Sequence, residues 1–170
     1  KEDCHKIAHL SGDINLEIYK NRFEGYKKAL KDYDIEFNPE YVIQVNSKIE
    51  SGMQAIDELW NLDEKPDAIF SAGDYAALGA MQELRARKIK IPQEVCVVGF
   101  SNEPFTKYVE PPITSMDQTP LMMGKIAAQV FLEQVKENTT ISIEKKVVLP
   151  PELIVRESSD RKLYNLSDAS

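Results

Sequence analysis

Two short apolar runs, Ala68-Ile-Phe70 and Val95-Cys-Val-Val98, flank a helical pattern from about Asp74 to Arg87. Each run is strand-length and is followed by small or polar residues: Ser71-Ala-Gly-Asp74 after the first, Ser101-Asn102 after the second. A strand-helix-strand step returns the chain to the same end of the sheet, so it implies a right-handed crossover between parallel strands. The same rhythm precedes it. Ile7-Ala-His-Leu10 reads as a strand ending in Ser11-Gly12-Asp13, and Tyr41-Val-Ile-Gln-Val45 as a strand ending in Asn46 and Ser47. The fold class predicted is therefore α/β, a parallel sheet flanked by helices. Ligands in such sheets bind beyond the carboxyl ends of the strands, which marks Gly73, Asp74, Ser101 and Asn102 as a candidate edge.

The helices are legible from spacing. Leu16, Tyr19, Phe23, Tyr26, Leu30 and Tyr33 recur at steps of three and four, which lines them along one face of a helix. Asp13 or Asn15 is placed to cap its start. Ile49, Met53, Ile56 and Leu59 mark a second helix, and Leu78, Met81 and Leu84 the apolar face of the third. From Glu103 to Thr119 the prolines and one apolar bead, Ile113-Thr-Ser-Met116, predict an extended crossing segment. A helix follows, with Met122, Ile126, Val130, Phe131 and Val135 as its apolar positions and Asn138-Thr-Thr140 at its end. Lys146-Val-Val-Leu149 reads as a strand, Leu153-Ile-Val155 as a short extended piece, and the residues from Glu157 as a mobile polar tail.

With 21 Lys and Arg against 28 Asp and Glu the net charge is −7, and no basic stripe offers a nucleic-acid groove. No apolar run reaches the roughly 20 residues of a membrane span, and no signal-peptide pattern is present. The two cysteines, Cys4 and Cys96, and two histidines, His5 and His9, show no metal-ligand spacing, so no metal and no cofactor are expected. Cys96 reads as a small buried thiol and His9 as a packed histidine. Neither a nucleophile elbow nor a phosphate-binding glycine loop is present, which argues against an enzyme. Asp74 has two readings, a cap on the following helix or a ligand contact. Arg22, off the apolar line of the first helix, reads either as a surface ion pair or as a cationic fork for hydroxyls or a carboxylate.

Taken in order, these segments resemble the lactose-repressor (LacI/GalR) family of transcriptional regulators. The resemblance rests on Ile7-Ala-His-Leu-Ser-Gly12, Arg22-Phe-Glu-Gly-Tyr-Lys-Lys-Ala-Leu30, Pro66 to Ala80 and Ile91 to Asn102. Pro112-Ile-Thr-Ser-Met-Asp-Gln118 and Pro151-Glu-Leu-Ile-Val-Arg-Glu-Ser-Ser159 complete it. It implies a periplasmic-binding-protein-like I fold, in which two α/β subdomains joined by crossing strands close on a small sugar-like effector. By that resemblance residues 1–112 are the C-terminal subdomain, 113–151 a hinge crossing with a segment of the N-terminal subdomain, and 152–170 a return strand and tail. The DNA-binding helix-turn-helix would lie outside this sequence, which begins with Lys1 rather than Met. This would leave operator DNA a partner of the whole regulator only.

The resemblance also implies site residues. Arg22 matches the arginine that commonly contacts effector, and Ser101 stands where many members carry an aspartate for sugar hydroxyls. Asn102, Asp74, Asn46, Ser47 and Asp13 complete the implied effector edge. Members that bind purines carry an aromatic near the position of Ser47, and none is adjacent here. Leu78, Met81 and Tyr108 match a homodimer interface, and the expected location is cytoplasmic. A solute-binding protein of a sugar transporter shares the fold and is the alternative. The apolar face of the helix over 121–135 predicts self-association, with segment exchange between two chains as one route.

Overall fold

The computed structural model describes residues 4–136 and 146–161. Strands β1 (Ile7–Ser11), β2 (Val42–Gln44), β3 (Ala68–Ser71), β4 (Cys96–Phe100), β5 (Thr114–Asp117) and β6 (Glu152–Ile154) form one sheet. Its order is β2-β1-β3-β4-β5-β6. All neighbours are parallel except β6, which runs antiparallel to β5 with Met116 opposite Leu153. Helices α1 (Glu17–Asp32), α2 (Ile49–Asn61) and α3 (Asp74–Ala86) connect the first four strands, as the alternation predicts. Helix α4 (Pro120–Lys136) follows β5.

The core is built where apolar strand residues meet α2 and α3. Leu10, Ile69 and Val97 from three adjacent strands share one cluster with Ala55, Ile56 and Leu59 of α2 and Ala76, Ala80, Met81 and Leu84 of α3. The two helices touch backbone to backbone. A Cβ at Gly52 would overlap the Ala76 carbonyl, and one at Gly79 the Ile49 carbonyl, so only glycine fits at either position. Met81, read from the sequence as an interface residue, is 2% exposed and belongs to this core. A leucine or methionine stripe at helical spacing has the same pattern whether it faces a sheet or a partner, and here the sheet takes it.

Helix α1 corrects its own stripe. Only its middle is buried: Tyr26 and Leu30 are covered, while Leu16 precedes the helix and Tyr33 ends it at 80% exposure. Asp13 does not cap α1. Its Oδ1 instead accepts from the backbone N–H and side-chain amide of Asn15, a local turn before the helix. Phe23 and Tyr26 stack with His9 of β1, which also stacks on Phe70 at 4.8 Å and 10°. His9 Nδ1 lies 2.9 Å from the Phe70 carbonyl, so the ring donates there. Its Nε2 is buried with no partner among the described residues. Burial pushes the imidazole down to about 4, against the help of the Phe70 carbonyl, with the Arg22 charge pressing the same way.

Two further expectations change. Lys146-Val-Val-Leu149 is not a strand; it pairs with no strand among the described residues, and Val147 and Leu149 instead line a groove with Met123, Ile126 and Val130 of α4. The segment after Glu157 is not mobile at its start. The Ser158 hydroxyl donates to the Val97 carbonyl at 2.6 Å and accepts the Thr114 N–H at 2.8 Å, stitching β4 to β5. The helix end at Asn138 to Thr140 and the tail beyond Arg161 lie outside the described residues.

The carboxyl edge of the sheet is fixed by Asp74. It opens α3 but caps nothing: the N-cap position is Gly73, which makes no side-chain cap. The Asp74 carboxylate is 1% exposed and accepts the Glu103 N–H at 2.8 Å and the Ser115 hydroxyl at 2.7 Å. Gly99 makes room for it, since a Cβ there would overlap Asp74 Oδ1. One buried carboxylate thereby joins the start of α3 to the loop after β4 and to β5. Burial pushes its titration up, while the bonds from Glu103, Ser115 and Phe100 and the more distant Arg156 charge hold it down.

Three outcomes are expected. Asp74→Ala strands two buried donors and destabilises the fold by about 2–4 kcal/mol in urea titration, with Asp74→Asn closer to wild type; equal stability of Asp74→Ala would contradict this network. His9 is neutral when folded but titrates near 6.5 when unfolded, so its contribution is full above pH 6.5 and fades as pH falls toward 4, by on the order of 3 kcal/mol in all. His9→Phe should flatten that part of the stability-pH curve; an unchanged slope between pH 6.5 and 4 sinks the assignment. On α4, Leu121 is 84% and Phe131 63% exposed, so light scattering should find the chain self-associated at micromolar concentration, and a clean monomer counts against it.

Candidate functional site

The strand ends gather polar groups from four connections. Arg22 lies in the second turn of α1 and reaches the end of β3, where Nη1 donates to the Ala72 carbonyl at 2.7 Å. Its guanidinium carbon sits 3.7 Å from the centre of the Phe100 ring and 5.5 Å from that of Tyr19. A guanidinium carries five donors, and the Ala72 bond uses one of them among the described residues. The fork is flat against an aromatic face, with burial pulling its titration down from the usual arginine value. Such a group is set to receive a hydroxyl pair or a carboxylate.

Arg22, Phe100 and Gln118 line the carboxyl end of a groove of about 870 Å³ that runs beside α1. A second groove, about 530 Å³, is lined by Asp13, Tyr19, Gln44, Val45, Asn46 and Ser47. Tyr19 borders both regions, through its ring near Arg22 and through its hydroxyl, 3.3 Å from Ser47 Oγ. Tyr19 of α1 thus sets an aromatic side chain beside Ser47, although none is adjacent to it in sequence. Sequence reasoning placed Tyr19 on the buried stripe; its position in the first turn after β1 was the signal that it belongs to the strand-end edge.

Ser101 and Asn102 turn the chain after β4 in left-handed backbone, with φ of 116° and 52°. Asparagine tolerates that region, whereas serine at φ 116° is strained, as residues at ligand sites often are. The Ser101 N–H donates to the Met116 carbonyl at 2.9 Å, and its hydroxyl is 3.4 Å from the Gln118 amide. Asn102 is committed to the protein. Its N–H donates to Ser115 Oγ, its amide to Asp117 at 2.8 Å, and its Oδ1 accepts from Arg156 at 2.7 Å. Arg156 also donates to the Ile113 carbonyl at 2.5 Å, so the segment after β6 is bolted to this loop.

The sequence-derived candidates therefore divide. Asp13, Asn46 and Ser47 share one groove, Arg22 and Ser101 flank the Phe100–Gln118 corner of the other, and Asp74 and Asn102 hold the edge together from beneath. Asp117, Gln118 and Arg156 were missed as individual residues. Their signal was their place at the two ends of the crossing strands. Of the expected interface residues, Tyr108 is 78% exposed and Leu78 half-buried, near the ring pair of Tyr75 and Phe105.

Residues 1–159 match the family model described as a periplasmic binding protein-like domain. Over 154 residues the chain is 32% identical to the HTH-type transcriptional repressor PurR of Vibrio vulnificus strain CMCP6, covering 90% of this chain and 45% of that protein. It is 29% identical over 153 residues to the ribose operon repressor of Haemophilus influenzae strain Rd, covering 90% and 46%. The chain thus spans a little under half the length of those repressors. The fold superposes on a LacI-family regulatory protein of Chloroflexus aggregans with TM-score 0.84 at 25% identity, covering 92% of this chain and 56% of that one. It matches a complex of the transcriptional regulator CelR with cellobiose with TM-score 0.83 at 30% identity, covering 92% and 47%. This chain belongs to the periplasmic binding protein-like domain family, in the form carried by LacI/GalR regulators.

Proposed function

We propose that this chain is the effector-sensing part of a transcriptional regulator and that its strand-end edge forms one wall of the effector cleft. The observation that carries the reading is the Arg22 fork, laid on Phe100 at the mouth of the groove with donors facing the strand ends. A sugar or sugar derivative suits it: hydroxyls bridge a guanidinium and neighbouring amides, and an aromatic face takes the apolar side of the ring. Asp13, Asn46, Ser47 and Ser101 add acceptors along the same edge. Asp74 and Asn102 position that edge rather than reach the ligand. The similarity to repressors, and to a regulator held with cellobiose, favours this over the solute-binding protein of a transporter and over an enzyme.

In this reading residues 1–112 form one subdomain, 113–151 cross into the other, and 152–170 return. Effector binding biases the closure of the two, and a DNA-binding segment outside this sequence reads operator DNA in the cytoplasm. Two copies meet through a surface of exposed Tyr75 and Tyr108 with the half-buried Leu78. Met81, buried in the core, takes no part.

The test is a thermal-shift screen of the intact regulator against monosaccharides, disaccharides, sugar phosphates and purine bases. A carbohydrate should raise the midpoint, by the equivalent of about 2.7 kcal/mol at a hundredfold excess over its Kd. Arg22→Lys should lose most of that shift, because it keeps the charge but not the fork. A purine as the sole stabiliser, or a carbohydrate shift unaffected by Arg22→Lys and Ser101→Ala, overturns the assignment.

A further inference from the structure

The chain contains two cysteines, and the fold brings them together at the end of the sheet opposite the effector edge. Cys96 opens β4, and its N–H donates to the Asp67 carbonyl at 3.0 Å. The Cys4 thiol points at that same carbonyl from 3.7 Å. Cys4 precedes β1, which lies on the far side of β3 from β4, so the chain must cross the start of β3 to get there. The Asp67 carboxylate makes it cross, accepting the His5 N–H at 2.8 Å and the Lys6 N–H at 2.9 Å. The Cys4 thiol and the Cys96 N–H thereby converge on one carbonyl oxygen, which sets the two cysteines side by side.

Arg161 completes the cluster. Its Nε donates to the Pro92 carbonyl at 3.1 Å, the carbonyl that Cys96 Sγ approaches at 3.6 Å, and its Nη2 lies 3.9 Å from Cys4 Sγ. Cys4 is half-buried, Cys96 is 4% exposed, and both line the wall of the groove beside α1. The bond from Cys96, with the Arg161 charge assisting, brings the Cys4 thiol down to about 7 against the opposing effect of burial. Cys4 is therefore the accessible sulfur with thiolate character, and Cys96 the sheltered sulfur beside it.

We propose that Cys4 and Cys96 are a redox-active pair that closes to an intramolecular disulfide when the protein meets a peroxide. The Cys4 thiolate attacks one oxygen of the peroxide; an S–O bond forms, the O–O bond breaks, and the departing hydroxide takes a proton and leaves as water. Cys4 is then a sulfenic acid. The Cys96 sulfur gives up its proton and attacks the Cys4 sulfur; the S–S bond forms, the S–O bond breaks, and a second water leaves. Two thiols and one hydrogen peroxide become one disulfide and two waters, and a dithiol reductant reverses the change. The bond would fasten the start of β1 to the start of β4 and enclose the whole β1-to-α3 unit within one loop.

The test uses the purified protein, reduced and then exposed to hydrogen peroxide, trapped with an alkylating agent and followed by intact mass and peptide mapping. Both thiols should disappear together, with loss of two hydrogens and a single linked peptide pair holding Cys4 and Cys96, and dithiothreitol should restore both. In Cys4→Ser, oxidation of Cys96 should slow by at least about tenfold, since the remaining sulfur is buried. Conversion of Cys4 to a sulfinic acid while Cys96 stays alkylatable overturns the proposal, as does linkage only between separate chains. Because the mapping is done on the wild-type protein, a variant that folds poorly does not decide it.

Discussion

A carboxylate removed from water is tolerated only when hydrogen bonds replace its hydration, and Asp74 is removed almost completely. Its acceptors are met by the Glu103 N–H and the Ser115 hydroxyl, groups 29 and 41 residues away. Those bonds bring together the start of α3, the turn after β4 and the crossing strand β5. The Asn102 turn rests on the same Ser115, which donates to Asp74 while accepting the Asn102 N–H at 2.9 Å. Gln118 lines the groove, and the Ser101 hydroxyl stands 3.4 Å from its amide because that turn is fixed. The shape of the strand-end edge is a consequence of a charge buried beneath it, and Gly99 is the residue that makes the burial sterically possible.

The same logic explains the division of labour across the sheet. On one face α2 and α3 seal an apolar core with touching backbones, a surface without room for adjustment. On the other face α1 packs through a few aromatic rings around His9 and leaves a groove beside it. Rings stacked at 5–6 Å, as His9, Phe23 and Tyr26 are, cover area without interlocking as leucines do. Arg22 grows from this looser helix, and its guanidinium rests on the Phe100 ring and the Ala72 carbonyl rather than in an ion pair among the described residues.

Much of this was readable before any coordinates. Alternating short apolar runs and helical stripes are local signals, and they locate the first four strands and all four helices to within a few residues, with β5 and β6 read as extended pieces. Ser101 is legible from its place after an apolar strand and Arg22 from its place off the apolar line of α1, and the structure sets both near the carboxyl ends of the strands. What failed was whatever depends on contacts distant in sequence. Asp74 looked like a cap because its true partners are a loop and a strand later in the chain. Met81 and Leu78 share one helix and one expected interface role, yet Met81 is core and Leu78 half-buried, a difference decided by which side of α3 meets the sheet. The strand read at Lys146 to Leu149 has no pairing neighbour among the described residues, and periodicity does not report whether a strand finds one.

The central strand β3 carries an aspartate just beyond each end. Asp67 grips the backbone entering β1, and Asp74 grips the loop leaving β4 together with β5. Sliding β3 along its length in either direction would stretch one of these grips while compressing the other. The sheet is therefore locked against shear along its strand axis, by charges set at opposite ends of a four-residue rod. A load applied along the strands at one end of β3 is thus opposed by hydrogen bonds at both ends, a restraint that loads across the sheet do not meet.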